Sequence, residues 1–357
     1  MKTRNQRFIL CLALVVALSI FAINRKFERS PFYTTLVDDV YVVPEECLCK
    51  SEKTGNIYNF CYSNPQNSTL QGIVFNCSHV DFMDDFGFFQ NHEDTFYENV
   101  LKENRNEEDE IFVTACSNDH FLTGFDHYKI FRRSYPKNKV LFYGLDLSNN
   151  HQEKLKNEKY LEFRQFNTSK YPSYVKRWLD YRFKPLIIAE VIQEYKNIIW
   201  MDAHILIKNA NLTNLVHSEL ANSITNDTIP LKSPILFFIH SSHSNFATLD
   251  QRLLDFFPTI SLELLKTKGK GDQLGANIIY LSRTKKTFEI LKWWILCALE
   301  KECMNPGDTT IHCHFDTNRF TKFANCFRYD QSVLNLLLIN EYGDYHKYQS
   351  KYGYLIN

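Results

Sequence analysis

Apolar positions change period several times along this chain, and the sharpest change falls within residues 181–206. Ile187, Ile188, Val191, Ile192 and Tyr195 recur at helical spacing, with Glu190, Gln193 and Glu194 on the other face and Pro185 suited to a first turn. From Ile198 the pattern switches. Ile198, Ile199, Trp200 and Met201 run without alternation and stop at Asp202. Such a run predicts a strand buried on both faces. A helix feeding a buried strand is an α/β unit, and ligands of open α/β sheets sit at the carboxyl ends of strands. Asp202 is therefore the first candidate for chemistry.

The same alternation precedes this stretch. Apolar runs at 111–116, 140–143 and 160–166 predict strands, and the stretches 128–133 and 151–159 predict helices between them. Strands alternating with helices imply a mostly parallel sheet with helices on both faces. Beyond Asp202, strands are predicted at 234–240 and 276–281 and helices at 250–257 and 288–299. A last helix is predicted over 333–339, with Ser332 or Asp330 available as its cap. Residues 25–106, where strand-like scraps alternate with Pro, Asn and Ser, read as a stem and cysteine-containing lead-in to an α/β domain over 107–345, with 346–357 as a tail.

The N-terminus sets the compartment. Lys2, Arg4 and Arg7 in a short tail (1–7) precede an uncharged apolar run, and Arg25, Lys26 and Arg29 follow it. Residues 8–24 read as a signal anchor with the N-terminus cytosolic, and cleavage near Ser19 or Ala22 would give a secreted product instead. Five sequons, at Asn67, Asn76, Asn167, Asn211 and Asn226, suit a lumenal chain. The cysteines form two even islands: Cys47, Cys49, Cys61 and Cys77, then Cys297, Cys303, Cys313 and Cys326. In an oxidising compartment these read as disulfides, with three connectivities open in each island. Zinc is the rival for the first island, but its spacing lacks the paired C-x-x-C ligands of a zinc ribbon. Cys116 remains as a buried thiol inside an apolar run. Basic and acidic residues balance at 41 each, which gives no footprint for nucleic acid.

In their order, strand 111–116, strand 140–143, the unit ending at Asp202, strand 273–281 and the pair Asp330-Gln331 resemble a GT-A-type glycosyltransferase, distantly like the glycogenin-like retaining galactosyltransferases. At closer range, FKPLIIAEVIQEY, IIWMDAH, WWILCALEKECMNP and RYDQSVLNLLL resemble a nematode-expanded family of glycosyltransferase-like type II membrane proteins. The resemblance covers about residues 110–342 and implies a Rossmann-like sheet, a nucleotide-sugar donor, a glycan or glycoprotein acceptor, and a Golgi or endoplasmic reticulum membrane location. It implies donor contacts at Thr114, Lys184 and Asp202. It also implies a catalytic pair, Asp330 and Gln331, near the sugar carbon.

Chemistry supports this only in part. A departing diphosphate needs a metal ion or cations to neutralise it, and the D-x-D pair of GT-A folds is here Asp202-Ala203-His204. Manganese held by Asp202 and His204 is one reading. A metal-free site in which Lys184 meets the phosphates is a second, and a fold that has lost activity is a third. Asp330 could equally be a plain helix cap. The run Lys266-Thr267-Lys268-Gly269-Lys270-Gly271-Asp272 reads as a solvated turn, or as a lid over phosphates. His240 and His243, near a strand end, read as structural or as an acceptor-side base.

Overall fold

A computed structural model describes residues 43–90, 92, 110–224 and 231–356. The anchor expected at 8–24 and the sequon at Asn226 lie outside the described residues. Among the described residues, no helix is long and apolar enough to cross a membrane.

The architecture follows from the apolar runs. Strands β5 (Glu110–Cys116), β6 (Val140–Gly144), β7 (Leu161–Gln165), β8 (Asn197–Met201), β9 (Ile235–Ser244) and β10 (Asp272–Ser282) make one six-stranded sheet in the order β7-β6-β5-β8-β10-β9. The first four are mutually parallel. β10 runs antiparallel to both β8 and β9, so the sheet is mixed at one edge. β8 shows why the central strands read as continuous apolar stretches. Ile198 and Trp200 point into one core and Ile199 and Met201 into another, because successive residues of a strand face opposite sides. One layer holds α4 (Phe183–Val191), α6 (Lys285–Leu299) and α7 (Tyr329–Tyr342), and the opposite layer holds α2 (Phe121–Ser134) and α5 (Leu212–Ala221).

Several boundaries differ from the sequence reading. α2 begins at Phe121 rather than near 128, since Gly124 marks a close approach and not a turn: a Cβ there would lie 3.0 Å from the Ala203 methyl. α4 ends at Val191, and the helix expected at 250–257 shrinks to Leu253–Phe256 before Pro258. α7 starts at Tyr329 with no side-chain cap, so neither Ser332 nor Asp330 serves as one. The Asp330 carboxylate turns inward instead.

The lead-in is also more than a spacer. Strands β1 (Leu48–Lys50) and β2 (Ile57–Asn59) form one hairpin, and β3 (Cys61–Asn64) and β4 (Asn67–Val74) another, followed by α1 (Val80–Asp85). Phe60, Tyr62, Phe75, Val80 and Met83 are buried in the same core as α6. Residues from Val43 onward thus form a single compact unit. The four disulfides stay within their islands: Cys47–Cys61 and Cys49–Cys77, then Cys297–Cys303 and Cys313–Cys326. No thiolate of the first island is left for zinc. Cys116 is a free, buried thiol whose burial pushes its pKa up to about 12. The sequon residues Asn67, Asn76, Asn167 and Asn211 are all exposed.

Candidate functional site

β8 delivers Asp202 to the carboxyl end of the parallel strands, where its backbone N–H donates to the Asn277 carbonyl at 2.7 Å. A small residue follows because Ala203 packs on Gly124. The indole N–H of Trp200 donates to Asp202 Oδ1 at 2.8 Å and fixes the carboxylate. Two residues into α4, Lys184 is buried at 2 % exposure and reaches the same carboxylate.

That lysine is the centre of the site. Its ammonium lies 3.1 Å from Asp202 Oδ1 and 2.8 Å from Asp330 Oδ2, and donates to the Ala276 carbonyl at 2.9 Å. The contact with Asp330 is an ion pair and not a hydrogen bond, since Asp330 Oδ2 is buried without a hydrogen-bond partner. The rings of Tyr181 and Trp200 each lie 5.6 Å from it, a favourable setting for a cation. Burial opposes the Lys184 charge, but the two carboxylates outweigh it and hold its pKa above that of a free lysine. Burial pushes the Asp330 carboxyl up, with Asp202 adding to the rise and Lys184 opposing it. With all three groups ionised, two carboxylates against one ammonium leave an excess of one negative charge.

A cavity of about 170 Å³ opens beside this cluster, lined by Cys116, Ser117, Trp178, Tyr181, Asp202 and His204 among others. Of the residues singled out from sequence, the structure therefore brings Asp202 and His204 to the cavity and joins Asp202 to Lys184 and Asp330 behind it. Thr114, buried with its hydroxyl unpartnered, instead lines a separate cavity of about 20 Å³ with Asp202 and Ala203. The side-chain oxygen of Asn277, next to the Asp202 backbone, is likewise buried and unpartnered. Gln331 is committed elsewhere: its amide donates to Gln273 Oε1 at 2.7 Å and its carbonyl accepts the Ala276 N–H at 3.3 Å, tying α7 to β10.

Manganese fits this donor set poorly. A hard divalent ion takes several oxygen ligands, whereas Asp202 already holds an ammonium and an indole N–H, and His204 is exposed on the rim. No group of three metal-ligating side chains forms among the described residues.

Other candidates have local duties. His240 Nε2 faces Asp272 Oδ1 at 3.0 Å and its Nδ1 accepts the Ser242 N–H, so both nitrogens are occupied. His243 is buried, and burial, reinforced by Arg319 and Arg328, pushes its imidazole down to about 4. The lysine-rich loop is pinned by Gly269 N–H to Asp272 and by the Tyr345 N–H to the Lys270 carbonyl. It is a fixed turn. Sequence reasoning passed over Tyr181, whose left-handed backbone (φ 56°) sets its ring against Lys184, and Arg328, whose charge reaches Tyr181. A positive φ leaves no mark in the sequence of a tyrosine, so nothing in the pattern flagged it.

A family model described as a protein of unknown function (DUF1647) matches residues 47–189. No curated protein matches the chain. Solved structures similar to it include the galactosyltransferase LgtC in complex with donor and acceptor sugar analogs, at 13% identity over 64% of this chain and 70% of that one, TM-score 0.33. The bifunctional glycosyltransferase WbbM is similar at 11% identity over 66% of this chain and 38% of its own, TM-score 0.38. The mannosyltransferase Ktr4p of S. cerevisiae is similar at 10% identity over 61% and 69%, TM-score 0.35. Likeness this distant assigns no residue a role.

Proposed function

We propose that this chain is a GT-A-type glycosyltransferase of the secretory pathway, moving a sugar from a nucleotide-sugar donor to a glycan or glycoprotein. The observation that carries the proposal is the buried Asp202–Lys184–Asp330 cluster at the carboxyl end of the parallel strands, beside an open cavity. Its excess negative charge suits a transition state in which positive charge develops on the sugar carbon. In this reading Asp202 and Asp330 supply that field, and Lys184 is a positioning residue that holds both carboxylates. It does not meet phosphate. With a poor metal donor set, the departing diphosphate is met in this reading by Arg328, an exposed cation whose charge reaches Tyr181. The signal anchor, the Golgi or endoplasmic reticulum location and glycosylation at Asn67, Asn76, Asn167, Asn211 and Asn226 belong to the same proposal, as does the stem role of residues before Val43.

A second reading is a relative that binds carbohydrate without transferring it. It is favoured by the full burial of Lys184 between two carboxylates, away from any phosphate. The two readings part on nucleotide binding. A ligand that binds only the folded state at 100 times its Kd adds about 2.7 kcal/mol of stability, so the melting temperature of the purified chain should rise with at least one of UDP, GDP or CDP, and manganese should add no further shift. No shift with any nucleoside diphosphate, with or without manganese, would leave only the second reading.

A further inference from the structure

A second cavity, with a lining that shares no residue with the first, lies between residues 249–252 and the segment 307–328. Its volume is about 540 Å³, within the range of about 300–1,000 Å³ found for small-molecule sites. We propose that it binds a neutral oligosaccharide. The inference stands apart from the transfer reading, since binding here needs no donor.

The walls are built in advance. Segment 307–328 is closed by the Cys313–Cys326 bridge and held to the body by the Ala324 N–H, which donates to the Ala247 carbonyl at 2.7 Å. One guanidinium joins the two walls. Arg252 donates to both oxygens of Asp250, at 2.8 and 2.6 Å, and to both oxygens of Asp308, at 2.7 and 3.2 Å. Each carboxylate keeps lone pairs beyond those the guanidinium takes, fixed in direction, and sugar hydroxyls are donors suited to them. The three groups together carry one net negative charge, which disfavours sulfated, phosphorylated or sialylated glycans.

An apolar face completes the recognition. Phe323 is 39 % exposed although its ring stacks on Phe246 with centroids 4.3 Å apart. A ring held in place from behind and bare in front presents a flat surface to the C–H face of a pyranose. Thr309 adds a hydroxyl within 3.4 Å of the Tyr329 hydroxyl, so the cavity abuts the helical turn that carries Asp330. Carboxylates beside an exposed aromatic ring in a preformed open cavity are what a neutral glycan of two or three units requires.

The test is calorimetric titration of the full chain, without nucleotide, with neutral trisaccharides of mannose, N-acetylglucosamine and galactose, and with a sulfated trisaccharide. Saturable binding is expected for at least one neutral glycan, with the sulfated one weaker by about tenfold or more. Phe323→Ala and Asp308→Ala should each weaken binding by about tenfold; Asp308→Ala should leave the melting temperature near wild type because its side chain is 72 % exposed, whereas Phe323→Ala should lower it modestly through the lost stacking on Phe246. Absence of saturable binding by every neutral trisaccharide, equal binding of the sulfated one, or wild-type binding by both variants would overturn the proposal. Nucleotide-induced thermal shifts are read separately, so failure of either proposal leaves the other standing.

Discussion

Lys184→Met should destabilise the protein by about 3–5 kcal/mol at neutral pH, the range for removing one partner of a buried ion pair. Methionine fills the same space as the lysine stem, so little of this loss comes from packing. What remains is Asp202 and Asp330 facing each other without the ammonium that lies 3.1 and 2.8 Å from them. The pH dependence has a definite sign. The Asp330 carboxyl already titrates above its ordinary value in the folded state. A carboxyl of this kind costs no stability below its unfolded pKa and costs progressively more as pH rises through its folded one. Removing Lys184 takes away the group that opposes that rise, so the gap between variant and wild type should narrow as pH falls from neutral into the acid range. Lys184→Met/Asp330→Asn should recover part of the loss, because the double variant leaves a single buried carboxylate; the coupling expected for touching groups is about 0.5–3 kcal/mol. Urea unfolding of the four proteins of this cycle at neutral and mildly acid pH measures all of it. A variant with near wild-type stability and lost nucleotide binding would instead return Lys184 to the phosphates.

That outcome separates what the sequence could show from what it could not. The strands were legible because burial on both faces writes continuous apolar runs, as in Ile198 to Met201, and Asp202 was legible because it ends one. The even cysteine islands likewise announced their partition, though not their pairing. The partners of Lys184 were hidden. Asp330 lies on the far side of β9, β10 and α6 in the chain, and only the fold of α7 against α4 and β10 brings it to 2.8 Å. From sequence, a lysine at the start of a helix looks available to solvent or phosphate, and its 2 % exposure has no local signature. Gln331 misled for a related reason: the motif pattern marked it, while its amide is occupied in stitching α7 to β10. The lead-in misled in the opposite direction. Its short strands are too irregular to show a period, yet Phe60 and Phe75 are fully buried in the main core.

Arg182 went unremarked in sequence, and its replacement should have the other large effect. It is fully buried and all its donors are engaged. Nη1 donates to the carbonyls of Ala298 and Glu300, at 2.9 and 2.8 Å, and Nη2 to those of Lys301 and Asn305, at 2.9 and 3.2 Å. Nε faces Asp180 at 3.3 Å, and Asp180 in turn accepts the Asn305 amide at 2.7 Å. The guanidinium thereby satisfies Ala298, one of the carbonyls that α6 leaves open at its C-terminus, and three carbonyls of the segment that follows, beside the Cys297–Cys303 bridge. It also fixes the turn that launches α4, two residues before Lys184. Arg182→Met would strand these carbonyls at once, a cost of at least about 3 kcal/mol, whereas Asp180 would keep Arg177 at 2.8 Å and the Asn305 amide at 2.7 Å. Arg182→Lys should recover only a minor part, since three donors on a point charge cannot replace five in a planar fork. Asp180→Asn in the Met background should lower stability further rather than return it, because that carboxylate also pairs with Arg177 at 2.8 Å. Denaturant midpoints for the three variants, with m-values unchanged, would verify the ordering. An Arg182→Met protein as stable as wild type would show that water, not the guanidinium, satisfies the end of α6.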